Sequence, residues 1–206
     1  MIVTIHQPEH FPYLGFFQKM ERSDLFVILD SVKYKKNDFQ NRNRFINTSG
    51  SQEWFGVSVP KKSNSQKICD VLTLDEKLNN WRNKVIKKLE YNFSLSKADL
   101  EEIIEVYQHK KLCDINIASI EWCRKKLNIN TPMIKSSDLN VKGQKAELLL
   151  SICKEVNAKS YLSGPFGKKY LDTELFQENN IEVKFFQPDV PNHYSTLYNV
   201  LSKEQY

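Results

Sequence analysis

A strand–helix–strand opening, a helical middle and a strand–helix–strand–helix–strand close predict an α/β chain. The opening is carried by "IVTI", "YLGFFQKMER" and "LFVILD" within the first 30 residues. The close is carried by "PMIKSSDL", "KAELLLSICKEVN", "AKSYLSG", "KKYLDTELFQENN" and "IEVKFFQ". Alternating strands and helices at both ends imply a doubly wound, mostly parallel (Rossmann-like) sheet with an inserted helical lobe. The 206 residues are enough for one real core. We therefore expect a single α/β domain over 1–206, with 75–127 as a helical sub-lobe.

Ile2 to Ile5 reads as a short buried strand. Tyr13 to Arg22 reads as a helix opened by Pro12, a favoured early helix position. Ser23 and Asp24 break it. Leu25 to Asp30 is a continuous apolar run with a terminal acid, as in a central strand covered on both faces. "FINTSGSQEWFGVSV" reads as two strands about a Ser-Gly turn. Ile68 to Leu74 alternates and reads as a third strand. Three helical faces follow: Leu78, Trp81, Val85, Ile86 and Leu89; Leu100, Ile103, Ile104 and Tyr107; Ile117, Ile120, Cys123, Arg124 and Leu127. The helix over 168–180 reads as whole or broken, and "IEVKFFQ" as the final strand.

Composition narrows the class. Hydrophobic residues make up 40% and charged residues 27%, ordinary for a globular chain. No apolar run approaches the roughly 20 residues of a bilayer span, and "MIVTIHQPEH" lacks the pattern of a secretory signal. No membrane span and a cytoplasmic location are the expectations. The net charge of +5 suits an anionic substrate, although such an excess mainly keeps a protein in solution. None of the four cysteines forms C-x-x-C, so neither a zinc knuckle nor a redox pair is indicated.

In an open parallel sheet, ligands bind beyond the C-terminal strand ends. Four polar loops fall there: "HQPEH", the segment from Asp30, "SSDLNVKGQK" and "SGPFGKKY". In the first, His6 and His10 stand four apart, but Pro8 and Pro12 oppose a helix and no third ligand accompanies them, so no metal is expected. The histidines instead suit phosphate or a proton-transfer role, with Gln7 between them; a turn shaped by a hydrogen-bonded histidine is the plainer reading. "QNRNR", Gln40, Asn41, Arg42, Asn43 and Arg44, offers two guanidinium forks with amides between, fit for carboxylate or phosphate. Taken alone, such a cluster is more often a solvated charged face. In "SGPFGKKY", which opens on Ser163, the two glycines Gly164 and Gly167 let the backbone approach a ligand, while Lys168 and Lys169 could meet anions. It lacks the spacing of a P-loop, and a plain turn into a helix explains it nearly as well.

These clusters, in this order, resemble the WbqC-like family of bacterial proteins. The resemblance runs nearly end to end, through "IHQPEHFPYLGFFQKM", "DLFVILDSVKY", "FQNRNRF", "VSVPK", "INIASIEW", "KSSDL" and "YLSGPFGKKYLD". His10 falls at a variable place in that pattern, so His6 is the stronger functional candidate. The "LSKEQY" end departs from the apolar, Asp-containing continuation usual in the family. The resemblance implies a role in surface-polysaccharide (O-antigen, lipopolysaccharide) biosynthesis. The implied reaction is transfer of a glycyl, other aminoacyl or acyl group to the amino group of a nucleotide-linked deoxyamino sugar. His6 would serve as base with Asp30 orienting it or the amine. Arg42 and Arg44 would hold diphosphate or carboxylate, and Gln40, Asn41 and Asn43 would read sugar hydroxyls. No essential cofactor is identified; the donor stays open between ATP-activated glycine and an aminoacyl-tRNA. The loop is also similar, more faintly, to the H-x-G-H loop of adenylyl transferases, with different spacing and no glycine. Two alternatives therefore remain: nucleotidylyl or adenylate-forming chemistry, and a non-catalytic binding module of a glycan assembly complex.

Overall fold

The computed structural model describes residues 1–202, apart from the side chain of Leu78. The expected domain span to 206 and the expected placement of Leu78 on a helical face therefore reach outside the described residues. The strands are β1 (Ile2–His6), β2 (Leu25–Ile28), β3 (Arg42–Ile46), β4 (Gln52–Gly56), β5 (Met133–Lys135), β6 (Ser160–Ser163) and β7 (Glu182–Phe185). The helices are α1 (Leu14–Glu21), α2 (Glu76–Asn79), α3 (Trp81–Asn92), α4 (Lys97–Val106), α5 (Leu112–Lys126), α6 (Lys145–Glu155), α7 (Thr173–Glu178) and α8 (Thr196–Leu201). Two compact units result. One comprises 1–7, 15–30 and 129–191; the other comprises 8–14, 31–128 and the chain from Asn192.

The first unit is the doubly wound part. Its sheet has the order β5-β2-β1-β6-β7, and every pairing is parallel. Phe26, Val27 and Ile28 of β2 are wholly buried, as a strand covered on both faces requires. α1 buries Phe16, Phe17 and Met20 and ends where the backbone N–H and hydroxyl of Ser23 both donate to Met20 O. The segment expected as a whole or broken helix is broken: a 3₁₀ turn at Pro165–Lys169 precedes α7, whose N-cap Asp172 accepts from Leu175 N.

The second unit holds the β3–β4 hairpin and α2, α3, α4, α5 and α8. The hairpin turns at Asn47, whose side-chain oxygen accepts from Ser49 N and Ser51 N, while Gly50 takes the left-handed conformation (φ 79°). The strands pair antiparallel from Arg42↔Gly56 to Ile46↔Gln52, so "QNRNR" runs into a strand. α3 buries Trp81, Val85 and Leu89. α4 is capped by Ser96, which accepts from Asp99 N. Ion pairs from Lys125 to Glu102 and from Lys126 to Asp99 and Glu102 join α4 to α5.

One expectation is corrected. Ile68 to Leu74 is not a strand: Ile68–Asp70 is a 3₁₀ turn. Ile68 and Val71, three apart, are fully buried while Leu72 is 54% exposed, a period of three and not of two. β7 is the last strand, as expected, and an element the sequence reading did not include comes after it. α8 follows, with Ser195 accepting from Tyr198 N at its start and Leu197 buried.

Gly56 faces Arg42 across the hairpin at a distance only glycine permits. A Cβ there would stand 2.2 Å from Asn41 O and 2.7 Å from Arg42 Cα, both main-chain atoms. Gly56→Ala should lower unfolding free energy by about 1–3 kcal/mol in urea denaturation, as overpacking against backbone does.

Candidate functional site

In the first unit, all five strands end on one edge. The chain winds outward from β1 through β2 to β5 on one side, and through β6 to β7 on the other. The order reverses between β1 and β6, the place where such sheets take ligands. The ladder there is short, with only Ile2↔Ser160 and Val3↔Tyr161 paired. The Thr4 hydroxyl then bridges to Leu162 O at 2.6 Å. Beyond that bond stand His6, closing β1, and Ser163, closing β6.

His6 is half-buried, with its ring edge-on to Phe16 at 4.9 Å. Its Nδ1 lies 3.0 Å from Gln7 O. A carbonyl only accepts, so Nδ1 carries the proton and Nε2 keeps its lone pair. Desolvation lowers the pKa to about 3, helped by the nearby Lys19 ammonium and opposed by the bond to Gln7 O. Lys19 itself is buried, only 4% exposed. His6 is thus a neutral imidazole over the physiological range. It differs from the near-neutral base expected from its residue type: in this state it accepts a hydrogen bond rather than holding a proton. Gln7 is exposed.

Asp30, just past β2, is buried. Its carboxylate accepts from Ser136 Oγ (3.0 Å), Ser137 N (2.9 Å) and Ser137 Oγ (2.7 Å). Its own N–H donates back to Ser136 Oγ. These bonds pin the 3₁₀ turn after β5 (Ser136–Asp138) to the end of β2, which makes Asp30 a brace of the edge. Ser163 is buried and its hydroxyl donates to Gly164 O. Lys168 is exposed, with its ammonium 5.6 Å from the centre of the Phe185 ring.

The remaining sequence candidates lie in the second unit. His10 is wholly buried, with Nε2 2.9 Å from the Tyr107 hydroxyl, and burial lowers its pKa to about 3. It is a core group. Asn43 donates to His10 O and Phe11 O and accepts from Arg44 N. Gln40 accepts from Lys35 N, and Asn41 donates to Val57 O and accepts from Asn37 N. The three amides expected to read hydroxyls are engaged with main chain.

Arg42 and Arg44 differ. They share one face of β3, and their guanidinium carbons lie 4.3 and 5.7 Å from the Trp54 ring centre. Arg42 donates to Asn37 O and Arg44 to Gln52 Oε1. Among the described residues neither makes a salt bridge, and the Nε of each is buried without a hydrogen-bond partner. Two stacked forks of like charge are a ready anion platform.

Sequence reasoning missed three residues. Trp54 was findable, because it faces Arg44 across the hairpin register. Lys19 had no signal, since a lysine on an amphipathic helix is ordinarily exposed. Asn116 is buried on α5 and donates to Pro8 O and Gln40 O. It was missed because the expected α5 face was centred one residue late, on Ile117.

Fold and edge define an α/β chain with a ligand-type sheet edge that carries a neutral histidine. The chain belongs to the WbqC-like protein family, whose sequence model matches residues 7–202. It is 32% identical over 204 residues to an uncharacterized protein of Mycobacterium tuberculosis, Rv1507c, covering 95% of this chain and 86% of that one. No solved structure matches it. Among the described residues no helix is long and apolar enough to cross a membrane.

The low pKa of His10 has a stability consequence with a definite sign. An unfolded histidine takes up a proton below about pH 6.5, while folded His10 resists until about 3. Its contribution is full above 6.5 and is lost as pH falls toward 3, by about 1.4 kcal/mol per pH unit. Urea midpoints between pH 6.5 and 5 should therefore fall steadily in the native chain, and less steeply in His10→Gln. The window lies above the range in which the ion-paired carboxylates titrate.

Proposed function

We propose that the chain is a transferase that places a glycyl, other aminoacyl or acyl group on the amino group of a nucleotide-linked deoxyamino sugar. The setting is bacterial surface-polysaccharide synthesis on the cytoplasmic side. The observation that carries this reading is the state of His6, a neutral imidazole with an Nε2 lone pair where the strand order reverses. The implications of the WbqC-like family support the substrate class.

A sugar amine attacks an acyl carbon only through a free lone pair. Nε2 accepts an N–H of the neutral amine and so aims that lone pair. As the C–N bond forms and the bond from the acyl carbon to the donor's leaving group breaks, the nitrogen sheds a proton to Nε2. An imidazole with a pKa near 3 is a poor base for that step in the free protein. A bound diphosphate supplies the correction, because a nearby negative charge raises a histidine pKa. Asp30 braces the edge through Ser136 and Ser137. In the second unit, the Arg42–Trp54–Arg44 stack suits a phosphate or carboxylate.

The test incubates the full chain with thymidine-diphosphate-linked amino sugars and either glycyl-tRNA or glycine with ATP, read by mass spectrometry. A glycyl or acyl mass gain is expected, reduced about 10²–10⁴-fold in His6→Ala, the usual worth of a general base. No gain with any donor overturns the proposal. ATP–pyrophosphate exchange without sugar product transfers it to adenylate chemistry. In NMR titrations, the His6 ring should titrate near pH 3 alone and higher when the nucleotide is bound.

A further inference from the structure

We infer that residues 164–170 form a subsite for the base and phosphate of a nucleoside diphosphate; this deepens the proposed function and rests on its nucleotide-linked substrate. The segment leaves the C-terminal end of β6, at the order reversal of the sheet. It presents two large aromatic side chains to solvent, Phe166 at 72% and Tyr170 at 62% exposure. Burying either ring would contribute about 1.5–3 kcal/mol, which the fold leaves unused. Lys168 and Lys169 lie between them, and among the described residues neither makes a salt bridge. The Lys169 ammonium sits 5.7 Å from the Phe166 ring centre.

The two glycines of the segment separate packing from ligand approach. At Gly167 a Cβ would stand 2.1 Å from Ser163 Oγ and 2.9 Å from Leu171 Cδ1, so neighbouring side chains crowd that position. Gly164 has an ordinary φ of −69° and open space where a Cβ would be. Neither backbone conformation nor packing demands glycine there, while a ligand lying against that backbone would. Open backbone, exposed aromatic rings and lysines with no salt bridge among the described residues, all within seven residues, match a planar base carrying phosphate. Stacking on an aromatic ring recognises the base, and lysine meets the phosphate as a point charge.

Calorimetric titration of the full chain with uridine diphosphate, thymidine diphosphate and pyrophosphate tests this without any turnover. The nucleotides should bind more tightly than pyrophosphate. Phe166→Ala or Tyr170→Ala should weaken nucleotide binding about ten- to a hundredfold, as loss of one stacking partner does, and leave pyrophosphate unchanged. Lys168→Ala should weaken both. Gly164→Val should abolish nucleotide binding with an unaltered circular dichroism spectrum. The inference is overturned if nucleotides bind no better than pyrophosphate or not at all, or if both aromatic variants keep native affinity. It is equally overturned if the aromatic variants lose only binding to anionic phospholipid vesicles, which would make the segment a membrane contact. Nucleotide binding that depends on Phe166 or Tyr170, without acyl transfer, would refute the transferase reading alone. Acyl transfer with variant-insensitive nucleotide binding would refute this subsite alone.

Discussion

Parallel pairing of β1 with both β2 and β6 is the constraint on which the first unit depends. Parallel neighbours cannot be joined by tight turns, so each connection must cross over the sheet. Both faces are then covered, and buried strand residues must be apolar or hydrogen-bonded until they reach the edge. β1 buries Val3, Thr4 and Ile5 before its first ring with polar atoms, His6. β2 buries Phe26, Val27 and Ile28, and buried Leu29 follows it before Asp30; β6 buries Tyr161 and Leu162 before Ser163. Thr4 and Ser160 are buried within strands because each spends its hydroxyl on a hydrogen bond, to Leu162 O and to the Glu182 carboxylate, while the other polar groups of β1, β2 and β6 collect at one edge. The connection from β2 to β5 also contains the longest segment of the second unit, residues 31–128.

The second unit meets a different constraint. Residues 8–11 run as irregular, mostly buried backbone, and Phe11 adopts a positive φ of 43°, unusual for a bulky side chain. Buried peptide groups outside helices and sheets need partners from elsewhere. Ser119 accepts from Phe11 N, Asn43 donates to His10 O and Phe11 O, and Asn116 donates to Pro8 O. These polar side chains sit in the interior because they replace the ladder that the segment lacks. The same logic explains why Gln40 and Asn43 are spent before any ligand arrives.

The sheet was legible because a covered strand leaves a continuous apolar trace, as in Leu25 to Ile28, and the hairpin because a Ser-Gly turn interrupts two β-rich runs. The segment from Ile68 was misread because alternation over a few residues resembles a three-residue period until burial separates Val71 from Leu72. α8 went unread because six residues leave little periodicity. At the candidate site, position was legible and state was not. The loop after β1 follows from strand order, but neutral His6 depends on desolvation by its packing, with the buried Lys19 adding to it, and the framework role of Asn43 depends on the left-handed turn at Phe11. Both are tertiary facts with no local spacing to announce them.

The two histidines of "HQPEH" show why a shared pKa does not imply a shared role. Burial holds both near 3. His10 has no exposed surface, and its Nε2 is engaged by the Tyr107 hydroxyl within a cluster of Phe11, Phe55 and Tyr107 rings. Protonating it would strand a charge among aromatic rings, so its neutrality serves packing. His6 commits Nδ1 to the carbonyl beside it, which fixes the tautomer and directs Nε2 as an acceptor, and it is only half-buried. Orientation and partial exposure coincide at His6, while His10 is oriented but wholly enclosed.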